Sequence, residues 1–352
     1  MLYQFYKINN SLKLLCLLCF LFYNHNVLSK DLFDSFFVNI IFESNNIEET
    51  KKNKIEELKI NNLNKLFKNI LTNADYKKIR NNIDLSFTDK FVKNIIIENE
   101  NIINNSYSAD IKINYDTNLI IKFLRNNKFS YVDYLPESFF IIILEKNDLK
   151  TNLFSRENSF YKYLLNNPNI QPYYILPNLD LNDRYLLSKD DINNRNVVNI
   201  NKIINKYNHD NILIIDSVYN NIFYELKSYL YLDNEFYLID DIKLSKINYN
   251  KFYLNLKINA IDIWKTKNSI QNNQLNNIKC NVKSLNIYEL KEINKLINSV
   301  SVIHSYDLQE ISLYSNLYSI SFYGNHKIFK KLLDLNSIKI DFVEDVCNVG
   351  LK

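Results

Sequence analysis

"SFFIIILEK" (138–146) is the stretch on which the fold turns. Phe139 to Leu144 are apolar without interruption. Successive strand side chains point to opposite faces, so both faces of this strand must be buried, as in a parallel sheet covered by helices on each side. The sequence around it agrees. Helical "SFYKYLLNN" (159–167), strand-like "PYYIL" (172–176), helical "RNVVNINKIINKYN" (195–208) and strand "NILIIDSVYN" (211–220) alternate as parallel βαβ segments do. "NIFYELKSYLYLD" (221–233) and "EFYLIDDIKLS" (235–245) read as an antiparallel extension, and a helix over "KFYLNLKINAIDIWKTKN" (251–268) closes the unit. This predicts a central three-layer α/β unit over 136–276, with "QNNQLNN" (271–277) as the linker out of it.

Upstream, residues 30–135 read as an N-terminal α/β unit. "DSFFVNIIFES" (34–44) alternates as a strand, and Ile47, Ile55, Leu58, Leu63, Leu66, Phe67 and Ile70 recur at helical spacing. "FVKNIIIENENII" and "SYSADIKINYD" follow as strands around an Asn104–Asn105 turn, then a helix over "TNLIIKFLRNN" with Thr117 as its N-cap. Downstream, 277–352 gives strand, helix, two strands, helix and strand, ending at "SIKIDFVED" (337–345). That βαββαβ order is the split ferredoxin-like arrangement. The fold class is therefore mixed, α/β and α+β.

"LKLLCLLCFLFYNHNVLSKD" (12–31) has the parts of a secretory signal: Lys7 and Lys13, about ten apolar residues from Leu14 to Tyr23, and compact Val27 and Ser29 before a cut. A bilayer span needs about 20 residues. Residues 1–29 are read as a signal peptide cleaved after Ser29, with an uncleaved N-terminal anchor as the alternative. The mature chain is expected on the far side of the membrane, with no membrane span.

Removing Lys7 and Lys13 from 43 basic residues leaves 41 against 39 acids, a net charge of +2. A nucleic-acid binder presents a basic face, so no nucleic-acid partner is expected. The chain has two glycines, none before Gly324. P-loops, dinucleotide fingerprints and nucleophile elbows each need glycine for a tight turn or close backbone approach. No catalytic residues, no metal site and no cofactor are assigned. One acidic loop, 177–191, follows a predicted strand end, where parallel sheets bind ligands. Asp180, Asp183 and Arg184 are its candidate ligand-binding residues, and N-capping or solvated turns are the alternative roles for such acids.

The last strand of a ferredoxin-like sheet pairs antiparallel with the first, which brings Cys347 beside Cys280. A disulfide and two unlinked buried thiols both fit that placement. The bond would contribute on the order of 4 kcal/mol in the chain-entropy model.

"YSADIKINYDTNLIIKFLRNNKFSYVD" (107–133), "SFFIIILE", "YYILPNLDLNDRYLLSKDDI" (173–192), "IDIWKTKN" with Trp264 and Lys265, and the terminal βαββαβ unit together resemble a bacterial family catalogued as domain of unknown function 2066. That family has glycine where this chain has Asn178. The resemblance implies an exported bacterial cell-envelope protein of unassigned activity. The expectation is a non-enzymatic binding or assembly factor with an envelope protein partner; the alternative is a small-ligand binder or hydrolase-like enzyme using loop 177–191.

Overall fold

The computed structural model describes residues 32, 33, 35–136, 138–272, 274–284, 286–312, 315–343 and 346–352; the predicted signal peptide lies outside them. Among the described residues the fold is mixed α/β with three sheets. The first contains β1 (Val38–Glu43), followed by α1 (Ile47–Ile70), α2 (Asn73–Ile79), α3 (Leu85–Thr88), β2 (Val92–Ile103), β3 (Ser106–Tyr115) and α4 (Thr117–Asn126). It is antiparallel, in the order β1-β3-β2. Strand periodicity sends Tyr107, Ala109, Ile111, Ile113 and Tyr115 into the core. Leu63, Leu66, Phe67 and Ile70 of α1 join them in one cluster. The cap of α4 is Asp116, not Thr117: the Asp116 carboxylate accepts the Leu119 N–H, and Thr117 is already helical.

The second sheet is built from β4 (Phe139–Lys146), β5 (Thr151–Leu153), α5 (Ser159–Leu165), β6 (Tyr174–Ile175), α6 (Leu181–Leu186), α7 (Lys189–Asn193), α8 (Val197–Tyr207), β7 (Ile212–Tyr219), β8 (Tyr224–Leu232), β9 (Glu235–Leu244) and α9 (Tyr249–Asn268). β4 pairs parallel with β7 and β6, while β8 and β9 extend the sheet antiparallel. Phe139, Ile141 and Ile143 pack with Phe160 and Leu164 of α5 and Phe252, Leu256 and Trp264 of α9. Phe140, Ile142 and Leu144 pack on the other face with Ile192, Ile200 and Ile203. The uninterrupted apolar run thus serves two separate cores.

β6 pairs with β4 only at Phe139 and Phe140, and β5 only at Leu144 to Lys146. Side chains from the α5 segment complete the ladder between them. The Tyr161 hydroxyl accepts the Ile143 N–H at 2.9 Å and donates to Ile141 O at 3.3 Å, and Asn158 Nδ2 donates to Ile143 O at 3.2 Å. Burial raises the Tyr161 phenol, so it stays protonated in this role.

The third sheet contains β10 (Leu275–Val282), α10 (Ile287–Ser299), β11 (Ile303–Ile311), β12 (Asn316–Tyr323), α11 (His326–Leu335), β13 (Ile338–Val343) and β14 (Val346–Leu351). The βαββαβ order runs through β13, but the expected neighbour of β10 is corrected. The sheet order is β11-β12-β10-β14-β13. A further strand, "VCNVGL", folds back antiparallel on β13 and lies parallel to β10. Its alternation buries Cys347 and Val349, which fits it for an interior position. Cys280 and Cys347 are register partners across this parallel pair, with Cα atoms 4.3 Å apart, and they are disulfide-bonded.

Residues 32–352 form one compact unit, and the first and third sheets share a core cluster. Tyr131, fully buried, bridges Leu71 on one side and Ile270 on the other. The described residues of the expected linker 271–277 are tied to their surroundings. Asn272 Nδ2 donates to Phe129 O at 2.6 Å, Gly324 N donates to Gln274 O at 2.9 Å, and β10 begins at Leu275. No helix among the described residues is long and apolar enough to cross a membrane.

Lys265 of α9 reaches the end of α1, donating from Nζ to Lys68 O at 2.7 Å and Leu71 O at 2.9 Å. Burial is the main cause lowering its pKa to about 8 from 10.5, with Asp262 opposing and Lys68 adding to the shift. Below the folded value both states are protonated and the penalty for the buried ammonium is fully present. Between about 8 and 10.5 the unfolded chain binds the extra proton, so this term raises stability as pH rises. In urea unfolding from pH 7.5 to 10, the wild-type minus Lys265→Met stability difference should climb, with a slope approaching about 1.4 kcal/mol per pH unit; a flat difference contradicts the assignment.

Candidate functional site

The acidic loop follows β6. Asp180 caps α6, accepting the Asp183 N–H at 3.0 Å. Asp183 turns inward and its side chain is fully buried. Lys206 Nζ lies 2.6 Å from Asp183 Oδ1, and the Tyr207 hydroxyl lies 2.9 and 2.8 Å from the two carboxylate oxygens. Tyr207 also accepts the Asn178 N–H at 2.8 Å, fixing the loop to α8. The hydrogen bond that Lys206 donates to Asp183 is the main cause raising the Lys206 pKa. Asp180 stands 3.7 Å from the same ammonium.

Asp180 and Asp183 are therefore brought together around Lys206, whereas Arg184 is outside that cluster and shares with Asp180 only a groove of about 440 Å³ over Leu181. Its Nη2 donates to Phe154 O at 3.2 Å, and it lines a groove of about 520 Å³ with Thr151, Asn152, Ser155 and Glu157. Asp191 belongs to a capping box with Ser188. Burial would raise its pKa, but hydrogen bonds from Ser188, Asn199 and Asn196 outweigh that and hold it at about 2. These interactions are structural. They leave neither Asp183 nor Asp191 facing an incoming ligand with a vacant carboxylate.

Sequence reasoning missed the polar groups at the carboxyl ends of β4 and β7. Lys146 and Asp216 pair at 3.1 Å. Glu145 accepts from the Ser159 hydroxyl and, at 3.2 Å, from Ser159 N, while the Tyr249 hydroxyl lies 2.9 Å from Ser159 Oγ. The chain Tyr249–Ser159–Glu145 orients two hydroxyl protons toward one carboxylate and anchors the start of α5. Its only sequence signal is the abrupt change from apolar to charged at Glu145.

A larger cleft, about 540 Å³, opens at the other end of the central sheet, between α8, the β8–β9 turn and α11. Tyr134 and Trp264 form its floor, with ring centroids 5.0 Å apart at 83°. Lys327, Lys330 and Lys331 line its α11 wall. Among the described residues no three His, Cys, Asp or Glu side chains are grouped to hold a metal ion.

Removing one member of a buried ion pair leaves the other charge uncompensated, typically at a cost of about 3–5 kcal/mol. Lys206→Met, which strands the fully buried Asp183 carboxylate without its cation, should destabilise the protein by about 3 kcal/mol in urea unfolding, whereas exposed Arg184→Ala should stay within about 0.5 kcal/mol. Equal effects would refute the structural assignment of Asp183. No family model, curated protein or solved structure matches the chain.

Proposed function

We propose that this protein is exported to the periplasm of a bacterial cell and acts there as a non-enzymatic binding or assembly factor. The observation that carries the reading is the Cys280–Cys347 bond, fully buried between β10 and β14. Disulfides persist in oxidising compartments and are uncommon in reducing ones. The basic, then apolar, then compact pattern of residues 1–29 supports the same compartment. The resemblance in residues 107–133 and 173–192 supports an envelope context.

Binding is favoured over catalysis by the fate of the acidic loop. Asp180 caps a helix and Asp183 neutralises Lys206, so both support the scaffold. The cleft beneath α11 offers a concave surface where two parts of the chain meet, a common place for ligand sites. An envelope protein is the proposed partner of the assembly role.

Intact mass after cell fractionation, without reductant, tests this. The expected species is soluble, begins at Lys30 and carries no alkylatable thiol at Cys280 or Cys347. A full-length, membrane-bound chain with both thiols free would overturn the reading.

A further inference from the structure

We propose that the cleft between α8, the β8–β9 turn and α11 binds a small hydroxylated oxyanion, of the class of sugar phosphates and sugar acids. The proposal rests on the binding half of the reading above and not on export. Lys327, Lys330 and Lys331 stand at i, i+3 and i+4 on α11, one stripe of the helix. Lys327 is neutralised across the cleft mouth by Asp233. Lys330 and Lys331 are exposed and have no ion pair or hydrogen bond to the described residues. Asp334, which also lines this wall, is paired with Lys352 at 3.4 Å; cations close together without an ion pair raise each other's energy, and an anion seated among them removes that cost.

The facing wall is held in place by its own hydrogen bonds, and these leave a particular set of groups. Trp264 Nε1 donates to Asn211 Oδ1 at 3.0 Å. The Tyr231 hydroxyl donates to Asn201 Oδ1 at 2.9 Å, and Asn201 Nδ2 donates to Asn234 Oδ1 at 2.9 Å. The carbonyl oxygens of Asn211 and Asn234 are thus engaged, and their NH₂ groups remain as donors. Asn268 is the reverse: its Nδ2 donates to Trp264 O at 3.0 Å, leaving Oδ1 to accept. Asp210, with no ion partner among the described residues, adds a second acceptor. Burial, reinforced by Asp233, raises Tyr134 to about 12 and keeps its hydroxyl protonated.

Two ammonium groups and two amide NH₂ groups suit phosphate or carboxylate oxygens. Asp210 and Asn268 suit hydroxyl donors on the same ligand. A bare anion would leave those two acceptors unmatched, and a neutral sugar would leave the lysines unmatched.

The test is calorimetric titration of the full oxidised chain with glucose 6-phosphate, glucuronate, glucose and inorganic phosphate. At least one of the first two should bind, and which one does identifies the anionic group. Glucose and inorganic phosphate should each bind at least about tenfold more weakly than that ligand. The Lys330→Ala/Lys331→Ala double variant, altered only at exposed positions, should keep the wild-type melting temperature and lose about tenfold or more in affinity. Silence from both charged sugars at about 10 mM, well above any specific affinity, overturns the proposal. So does phosphate binding as tightly as the sugar, or affinity unchanged in the double variant. Failure of export, read by fractionation, leaves each of these results interpretable.

Discussion

The carbonyls of Lys68 and Leu71, where α1 gives way to the chain beyond it, both take their donor from the Lys265 ammonium of α9. The last carbonyls of any helix lack intrahelical partners. At the end of α1, Phe67 O takes the Leu71 N–H, Ile70 O takes the Val132 N–H, and Lys265 meets Lys68 O and, just past the helix, Leu71 O. One turn earlier in α9, Asp262 accepts the Asn73 N–H at 2.6 Å, at the start of α2. A cation thus faces the carbonyl end of one helix and an anion the amide end of the next, each in its favourable orientation. With Tyr131 bridging Leu71 and Ile270 alongside, three sheets from separate stretches of chain are fixed at one point.

The same rule, that buried backbone must be paired, explains the edge of the central sheet. A strand apolar on both faces cannot leave its middle amides exposed to solvent-free packing. β5 and β6 are too short to cover β4 between them, and Tyr161 and Asn158 substitute for the missing strand. This places the start of α5 directly over the strand end. Glu145 then receives the Ser159 N–H, so the polar residues at the carboxyl end of β4 serve the joint before any ligand.

What could be read in the sequence was whatever repeats locally. The six apolar residues of β4, the alternation of β3 and the stripe of α1 each announce which sides are buried, and the sheets follow. What could not be read depends on distant partners. Asp183 reads as a candidate ligand-binding or turn acid because Lys206 and Tyr207 lie far along the chain, and nothing in "LDLNDRYLL" points to them. Tyr131 sits in an unpatterned segment, and its importance appears only when Leu71 and Ile270 meet it. β14 is short and carries Asn348 and Gly350, both poor strand formers. The expected closeness of Cys280 and Cys347 rests on an antiparallel neighbour and leaves the bond open, whereas the neighbour is a parallel strand in register and the two are bonded.

The scarcity of glycine, decisive against phosphate loops, raises the question of how the chain turns. Left-handed backbone is costly for most L-residues, and asparagine is among the few that visit it routinely. Asn99, Asn104, Asn208, Asn221 and Asn234 all have positive φ, and Asn208 ends α8 in the left-handed position that glycine commonly takes. Between β8 and β9 the two-residue turn Asp233–Asn234 has φ of 55° and 65°. Positive φ at both positions is the hairpin turn for which Asp-Gly and Asn-Gly are preferred. Using Asp233 and Asn234 instead of glycine puts a carboxylate and an amide on that turn, at the mouth of the cleft. Asp233 pairs with Lys327 of α11, and Asn234 joins Asn201 and Tyr231. A constraint of composition, turns made without glycine, thereby supplies two of the polar groups that shape the cleft.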